Sequence, residues 1–144
     1  MGTHSPSLRE YYSAALAPLQ ISFVSCVPAK ETTGWQRLPP SYLLELITIG
    51  EWEDAGKLID FDLCKGFYHV LLAIANYKNL KHAWNTNYNS DQYIRSYSCY
   101  VMDPANPYNN VMDACNCWGI VESNARQFLL KSLFNGLSTS SGWI

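Results

Sequence analysis

Three groupings of side chains in this 144-residue chain carry types and spacings that could do chemistry. Asp60-Phe61-Asp62 sets two carboxylates two positions apart, a pattern that holds a divalent cation when further acids join it. It abuts the start of an apolar helical stretch. There Asp62 can accept from the free N–H groups of a first turn, so the pair reads as a helix cap beside a solvated charge. Cys115-Asn116-Cys117 could open a zinc site, but no second Cys/His pair at ligand spacing follows, and the thiols read as buried side chains. His69 and His82 each stand singly within helical periodicity, with no partner of the right type nearby in sequence. Glu45 and Glu51 read as solvated or helix-supporting charges, and Trp84 and Trp118 as core. On residue type alone, no catalytic residue and no metal-ligand set is assigned.

The composition sets bounds on what these residues could serve. Apolar residues make up 48% of the chain and charged residues 15%, with five Trp, ten Tyr and five Phe. That is a globular composition, and one domain of this length buries roughly two-thirds of its unfolded surface. Ten basic against twelve acidic residues give a net charge of −2, with no basic run. A free-standing RNA-binding module, which must neutralise several phosphates together, is therefore disfavoured. Five unpatterned cysteines fit reduced thiols in a cytosolic protein. The segment Met1 to Pro6 has neither the basic start nor the apolar core of a signal peptide, and Pro6 breaks the myristoylation pattern. No apolar run approaches the ~18 residues of a membrane span. The expected setting is the cytoplasm, without a membrane partner.

The elements that must position these groups are mainly helical. Residues 1–15 read as a frayed N-terminal segment, with a short helix and an extended piece falling between Leu8 and Val24. Pro28 to Pro40 reads as a connector. Pro39 and Pro40 suit the opening of a helix, since their missing N–H groups have no intrahelical role there. Leu43, Leu44, Leu46, Ile47 and Trp52 give that helix its apolar face, and Asp54-Ala55-Gly56 closes it. Phe67, Val70, Leu71, Ile74, Tyr77, Leu80 and Trp84 recur at helical spacing over nearly five turns and predict one long helix. Asn85 to Asp91 is polar loop, with a short helix near Gln92 to Ser96. Tyr100-Val101-Met102 suits a brief extended segment that runs into the turn Asp103-Pro104-Ala105-Asn106-Pro107, where Asp103 can fold back on the backbone. Asn109 or Asn110 is expected to open a final helix with Trp118, Val121, Ala125, Phe128, Leu129 and Ser132 on its buried stripe. The expected fold is a mainly α helical bundle lobe over residues 16–144, with at most a short extended segment.

In order along the chain, several phrases resemble the C-terminal region of the 2′-5′-oligoadenylate synthetases. Leu38-Pro39-Pro40-Ser41-Tyr42-Leu43-Leu44-Glu45-Leu46-Ile47-Thr48, continuing to Trp52-Glu53, is similar to that family's Leu-Pro-Pro-x-Tyr-Ala-Leu-Glu-Leu-Leu-Thr segment. Phe61, Gly66-Phe67, Val70-Leu71, Tyr77, Leu80, Trp84 and Tyr88 look like its next helix. Val101-Met102-Asp103-Pro104-Ala105-Asn106-Pro107 resembles its Val-Ile-Leu-Asp-Pro-Ala-Asp-Pro turn, and Asn109, Asp113, Trp118 and Phe128 follow at familiar spacing. The resemblance implies template-independent nucleotidyltransferases, activated by double-stranded RNA, that join ATP units through 2′-5′ bonds in antiviral defence. It also implies that three aspartates of an N-terminal lobe hold two Mg²⁺ ions, which activate a 2′-hydroxyl and stabilise charge on the α-phosphate.

Measured against that family, the sequence departs in ways that bear on function. The lobe that holds the metals should show a Gly-Ser or Gly-Gly turn shortly before Asp-x-Asp. The sequence contains neither dipeptide, and its one Asp-x-Asp lies after the Leu-Pro-Pro phrase, where the family has a linker. The helix expected between the Pro-Thr-Lys and Leu-Pro-Pro phrases, which carries phosphate-contacting Arg and Lys, shrinks to the short interval from Lys30 to Leu38. The family's Gln-Tyr pair beside the nucleotide becomes Ser41-Tyr42. Two positions that touch RNA become Ile21 and Ser25, leaving Lys30. The resemblance thus assigns Ser41 and Tyr42 to the nucleotide and Lys30 to RNA, with no cofactor for this chain; Mg²⁺ and ATP are implied for a complete family member. The expected role is a partial or inactive member that forms one wall of a nucleotide cleft, with a catalytic N-terminal lobe as partner if a longer chain exists, and weak contact with double-stranded RNA. The alternative is a non-catalytic interaction module that binds a protein through the exposed cleft surface.

Overall fold

The computed structural model describes residues 36–94, 96–138 and 142–144. The segment 1–15, the pieces expected between Leu8 and Val24, and most of the Pro28–Pro40 connector lie outside the described residues, as does Lys30. Helix α1 spans Ser41–Asp54, α2 spans Leu63–Ala75 and α3 spans Trp118–Leu129. Strand β1 (Lys81–His82) pairs in parallel with β2 (Tyr100–Asp103), which pairs antiparallel with β3 (Asn106–Asn110), giving the order β1-β2-β3. The protein is mainly helical, but a small three-stranded sheet accompanies the helices where the sequence predicts one brief extended piece.

Helix α1 begins as the prolines dictate. Pro40 stands at the N-cap, and its carbonyl accepts from the Leu44 N–H at 3.2 Å. At the other end Gly56 adopts φ +105°, which costs a residue without Cβ little. The Lys57 N–H reaches the Trp52 carbonyl and the Gly56 N–H reaches that of Glu53, so two orphan carbonyls are satisfied in a Schellman closure. Asp62 caps α2 as its position in the sequence predicts, accepting from the Lys65 N–H at 3.0 Å.

Leu43, Leu44 and Ile47 of α1, Val70, Leu71 and Ile74 of α2, Val101 of β2, and Val121 and Ala125 of α3 are all closed to solvent in one continuous core. Phe67 extends that core by edge contacts with Phe128 at 5.6 Å and with the tilted ring of Phe134 at 5.7 Å. Trp118 stacks on Tyr77 at 5.0 Å, with its indole N–H donating to the Met112 carbonyl. Trp84 is half-buried, with its indole N–H held by Glu53 at 2.7 Å. Among the described residues no helix is long and apolar enough to cross a membrane.

The structure corrects four sequence expectations. Helix α2 stops at Ala75 instead of running to Trp84. The Asn76 side chain donates back to the Leu72 carbonyl, the kind of local bond that competes with a helical ladder, and Arg126 of α3 takes the Ala75 carbonyl at 3.0 Å. A 3₁₀ turn at Tyr77–Asn79 then keeps Leu80 pointed into the core. The second correction is Asn110, which ends β3 instead of opening a helix. Its buried side chain accepts from the N–H groups of Val101 and Met112 and donates to the Cys99 carbonyl, so that it caps the 3₁₀ turn Val111–Ala114 while filling a gap in the β2 ladder. Third, Ser132 is exposed, and Phe134 of the turn Ser132–Phe134 fills the core position instead. The short helix expected near Gln92 is a 3₁₀ turn at Ser90–Gln92.

Because Asn110 satisfies three backbone groups at once, two of them buried, Asn110→Ala should cost about 2–3 kcal/mol. Urea unfolding checks this: the midpoint should fall with the slope unchanged, and an unshifted midpoint would mean that water replaces the side chain.

Candidate nucleotide-facing site

Tyr42 and Asp103 are 61 positions apart in sequence, and the fold brings them together. Tyr42 sits in the first turn of α1 with 44% of its surface exposed, while Asp103 ends the buried strand β2. The Tyr42 hydroxyl donates to Asp103 Oδ1 at 2.8 Å. The same oxygen accepts from the Ala105 N–H at 2.9 Å, and Oδ2 accepts from Asn109 at 3.2 Å. The first of these is the fold-back expected of Asp103 from the sequence. Tyr88 donates to the Asp103 carbonyl and Asn87 to that of Pro104, so the proline turn is clamped from the loop that precedes it.

These contacts set the electrostatics. Burial alone would raise the Asp103 carboxyl, but donation from Ala105, Tyr42 and Asn109 outweighs it and holds the group below the usual range. Tyr42 responds in the opposite sense. Partial burial, then the hydrogen bond to a carboxylate and its charge, push the phenol up to about 12. Tyr88 is raised by burial and then by the Asp103 charge. The phenol of Tyr42 is therefore a fixed donor whose ring stays open to solvent. A phenol tied in this way is unsuited to acid–base work near neutrality.

The other candidates fall elsewhere. Ser41 shares the first turn of α1 with Tyr42. Asp62 is engaged as a cap, and its N–H donates to the Trp143 carbonyl at 2.8 Å. Neither Asp60 nor Asp62 belongs to a group of three metal-ligating side chains among the described residues. Cys115 and Cys117 are free thiols. Cys115 is buried, and its thiol is pushed up to about 12, chiefly by that burial. Cys117 donates to the Arg37 carbonyl.

His82 departs furthest from its expected place. It is a buried strand residue whose Nε2 lies 2.6 Å from Glu51 Oε2 and whose Nδ1 lies 3.7 Å from Asp54 Oδ2. No sequence signal joins residues 31 positions apart, and reading the stretch as continuous helix concealed the pair. Beside it lies a cleft of about 200 Å³ lined by Glu51, His69, Leu72, Ala73, Asn76, Asn79 and Leu80, and Tyr42 is not part of it.

Residues 21–143 match the family model described as 2′-5′-oligoadenylate synthetase 1, domain 2, C-terminus. The chain belongs to this family, and the match lies over its C-terminal domain. It is similar to 2′-5′-oligoadenylate synthase 2 of Homo sapiens, 34% identical over 107 residues that cover 67% of this chain and 15% of that protein. The Mus musculus protein of the same name is 33% identical over 107 residues, covering 67% of this chain and 14% of its own length. An inactive 2′-5′-oligoadenylate synthase 1B of Rattus norvegicus is 39% identical over 83 residues, covering 51% of this chain and 22% of that protein. The chain thus spans about a seventh of the length of the synthase 2 proteins.

The opposed shifts of Tyr42 and Asp103 have opposite pH signatures. Stability from Asp103 is present above its unfolded value of 3.8 and is lost as pH falls through its lowered value. Stability from Tyr42 is complete below 10.0 and is lost as pH rises towards about 12. An ultraviolet titration of the wild type minus Tyr42→Phe should isolate a phenol that ionises near pH 12. A difference spectrum that titrates near 10 would show that the bond to Asp103 does not persist in solution.

Proposed function

We propose that this domain acts as the C-terminal lobe of a 2′-5′-oligoadenylate synthetase-type protein, forming one wall of a nucleotide cleft and contributing no catalytic group of its own. The observation that carries the reading is Tyr42. The family match extends through it, its hydroxyl is tied to Asp103, and its ring remains open. On this reading Tyr42 stacks against an adenine base, and Ser41 beside it offers a hydroxyl where the family has an amide. ATP and Mg²⁺ belong to the complete synthetase. There, clustered carboxylates position the metals for phosphoryl transfer, and this sequence contains no Gly-Ser or Gly-Gly turn followed by Asp-x-Asp to supply them. Contact with double-stranded RNA is weak and centred on Lys30, because a chain of net charge −2 with no basic run releases few counterions on binding. The setting is cytoplasmic antiviral defence.

A second reading rests on a different surface. Leu130 and Leu133, which follow α3, are 83% and 57% exposed, and Ile59 is 78% exposed. Gathered on one face, such side chains would suit a non-catalytic module that binds a protein partner. Light scattering on the eluting protein separates the two readings, since a stable dimer favours the module and a clean monomer the lobe.

Incubating the chain with ATP, Mg²⁺ and double-stranded RNA should yield no 2′-5′ product, and adenosine nucleotides should quench tyrosine fluorescence in the wild type but less in Tyr42→Ala. Oligoadenylate formed by this chain alone, or quenching unaffected by the substitution, would overturn the proposal.

A further inference from the structure

The cluster at the C-terminal end of α1 serves neither the Tyr42 site nor the core. Glu51 and Asp54 lie one turn apart on α1, and His82 comes to them from β1. The three side chains each offer a ligand atom, and these atoms lie within 4.8 Å of one another. The His82 side chain is 6% exposed, that of Glu51 25% and that of Asp54 72%, so the cluster runs from the interior to solvent.

Two details distinguish it from an ordinary buried histidine. A carboxylate only accepts, so in the 2.6 Å contact with Glu51 the Nε2 is the donor, and Nδ1 is the nitrogen that faces Asp54. At 3.7 Å, Nδ1 makes no hydrogen bond to Asp54 Oδ2, although the ring is buried. A positive centre seated between Nδ1 and that carboxylate, whether a second ring proton or a metal ion, joins the two. Two donors on a tetrahedral zinc-type ion, at about 2.0–2.2 Å each, stand about 3.4 Å apart. The observed separation needs only a few tenths of an ångström of movement by an exposed aspartate. The Glu51 contact also matches a general feature of metal-bound imidazole, whose second nitrogen donates to a carboxylate that fixes the ring.

The backbone holds the ring in place. A Cβ built on Gly50 would lie 2.5 Å from His82 Cγ and Nδ1, so the absent side chain is what admits the imidazole against α1. The neighbouring cleft reaches Glu51, the anchoring carboxylate, and His69. His69 Nε2, an atom closed to solvent, has no hydrogen-bond partner.

We propose that His82 Nδ1 and Asp54 bind a divalent transition-metal ion of zinc type, with Glu51 anchoring the ring beside them and water completing the coordination. Imidazole selects such ions over magnesium, and the two carboxylates balance the charge. The ion would clip the end of α1 to β1, a structural role separate from the phosphoryl-transfer metals of the family.

Isothermal titration of Zn²⁺ into chelator-stripped, reduced full chain tests this. One ion should bind per chain and raise the thermal midpoint. His82→Asn and Asp54→Asn should each weaken binding at least tenfold, and Asp54 is exposed enough that its variant keeps the test valid if His82→Asn fails to fold. Cobalt in place of zinc should give visible absorption without a thiolate charge-transfer band. Failure to bind, affinity unchanged in Asp54→Asn, or a thiolate band from the cysteines would each overturn the proposal.

Discussion

A strand sealed inside a protein must have every backbone N–H and C=O satisfied, and β2 is where this chain meets that constraint. Val101 and Met102 are fully buried. Burying them removes water as a partner for their peptide groups, and an unmet group costs about 1–3 kcal/mol. Neighbouring strands supply part of the answer. Parallel pairing with Lys81–His82 and antiparallel pairing with Asn106–Asn110 flank β2, but the register with β3 shifts between Met102 and Asp103. The Val101 N–H is taken by the Asn110 side chain, a side-chain bond where a ladder bond would otherwise stand.

From that arrangement the rest follows. Helix α1 packs on the strand, while α2 and α3 pack chiefly on one another and complete the same core. At its C-terminal end the strand emerges at Asp103 and meets the first turn of α1, which places Tyr42 against it. At the other edge, pairing with β1 draws His82 under the last turn of α1, where Gly50 makes room. One buried strand thus fixes two polar sites at opposite ends of the same helix. Tyr42 sits in the first turn of α1, and Glu51 and Asp54 in the last.

Much of this was legible wherever a residue acts on its own neighbours. Pro40, Asp62 and Gly56 do what their chemistry dictates within one turn, and Asp103 folds back onto Ala105 as expected. The Leu43–Ile47 face and the extended nature of Tyr100–Met102 were likewise readable from periodicity. What escaped was set by distant partners. Tyr77, Leu80 and Trp84 keep helical spacing, yet Asn76 and Arg126 end the helix before them. Asn110 looks like a helix cap and does cap a turn, but its principal duty is to a strand nine residues back. His82 looked solitary because Glu51 is joined to it only by the fold. The Tyr42–Asp103 pair was half visible. Family resemblance marked the tyrosine, and nothing local marked its acceptor.

The central claim is that Tyr42 is positioned by Asp103, linking the emerging strand to the first turn of α1. A double-mutant cycle on folding free energy with Tyr42→Phe, Asp103→Asn and the pair measures that link. Coupling of about 0.5–1.5 kcal/mol is predicted, the net worth of a hydrogen bond to a carboxylate on a partly exposed surface. Additive effects of the two substitutions would contradict the account, because the ring would then have no fixed place beside the strand.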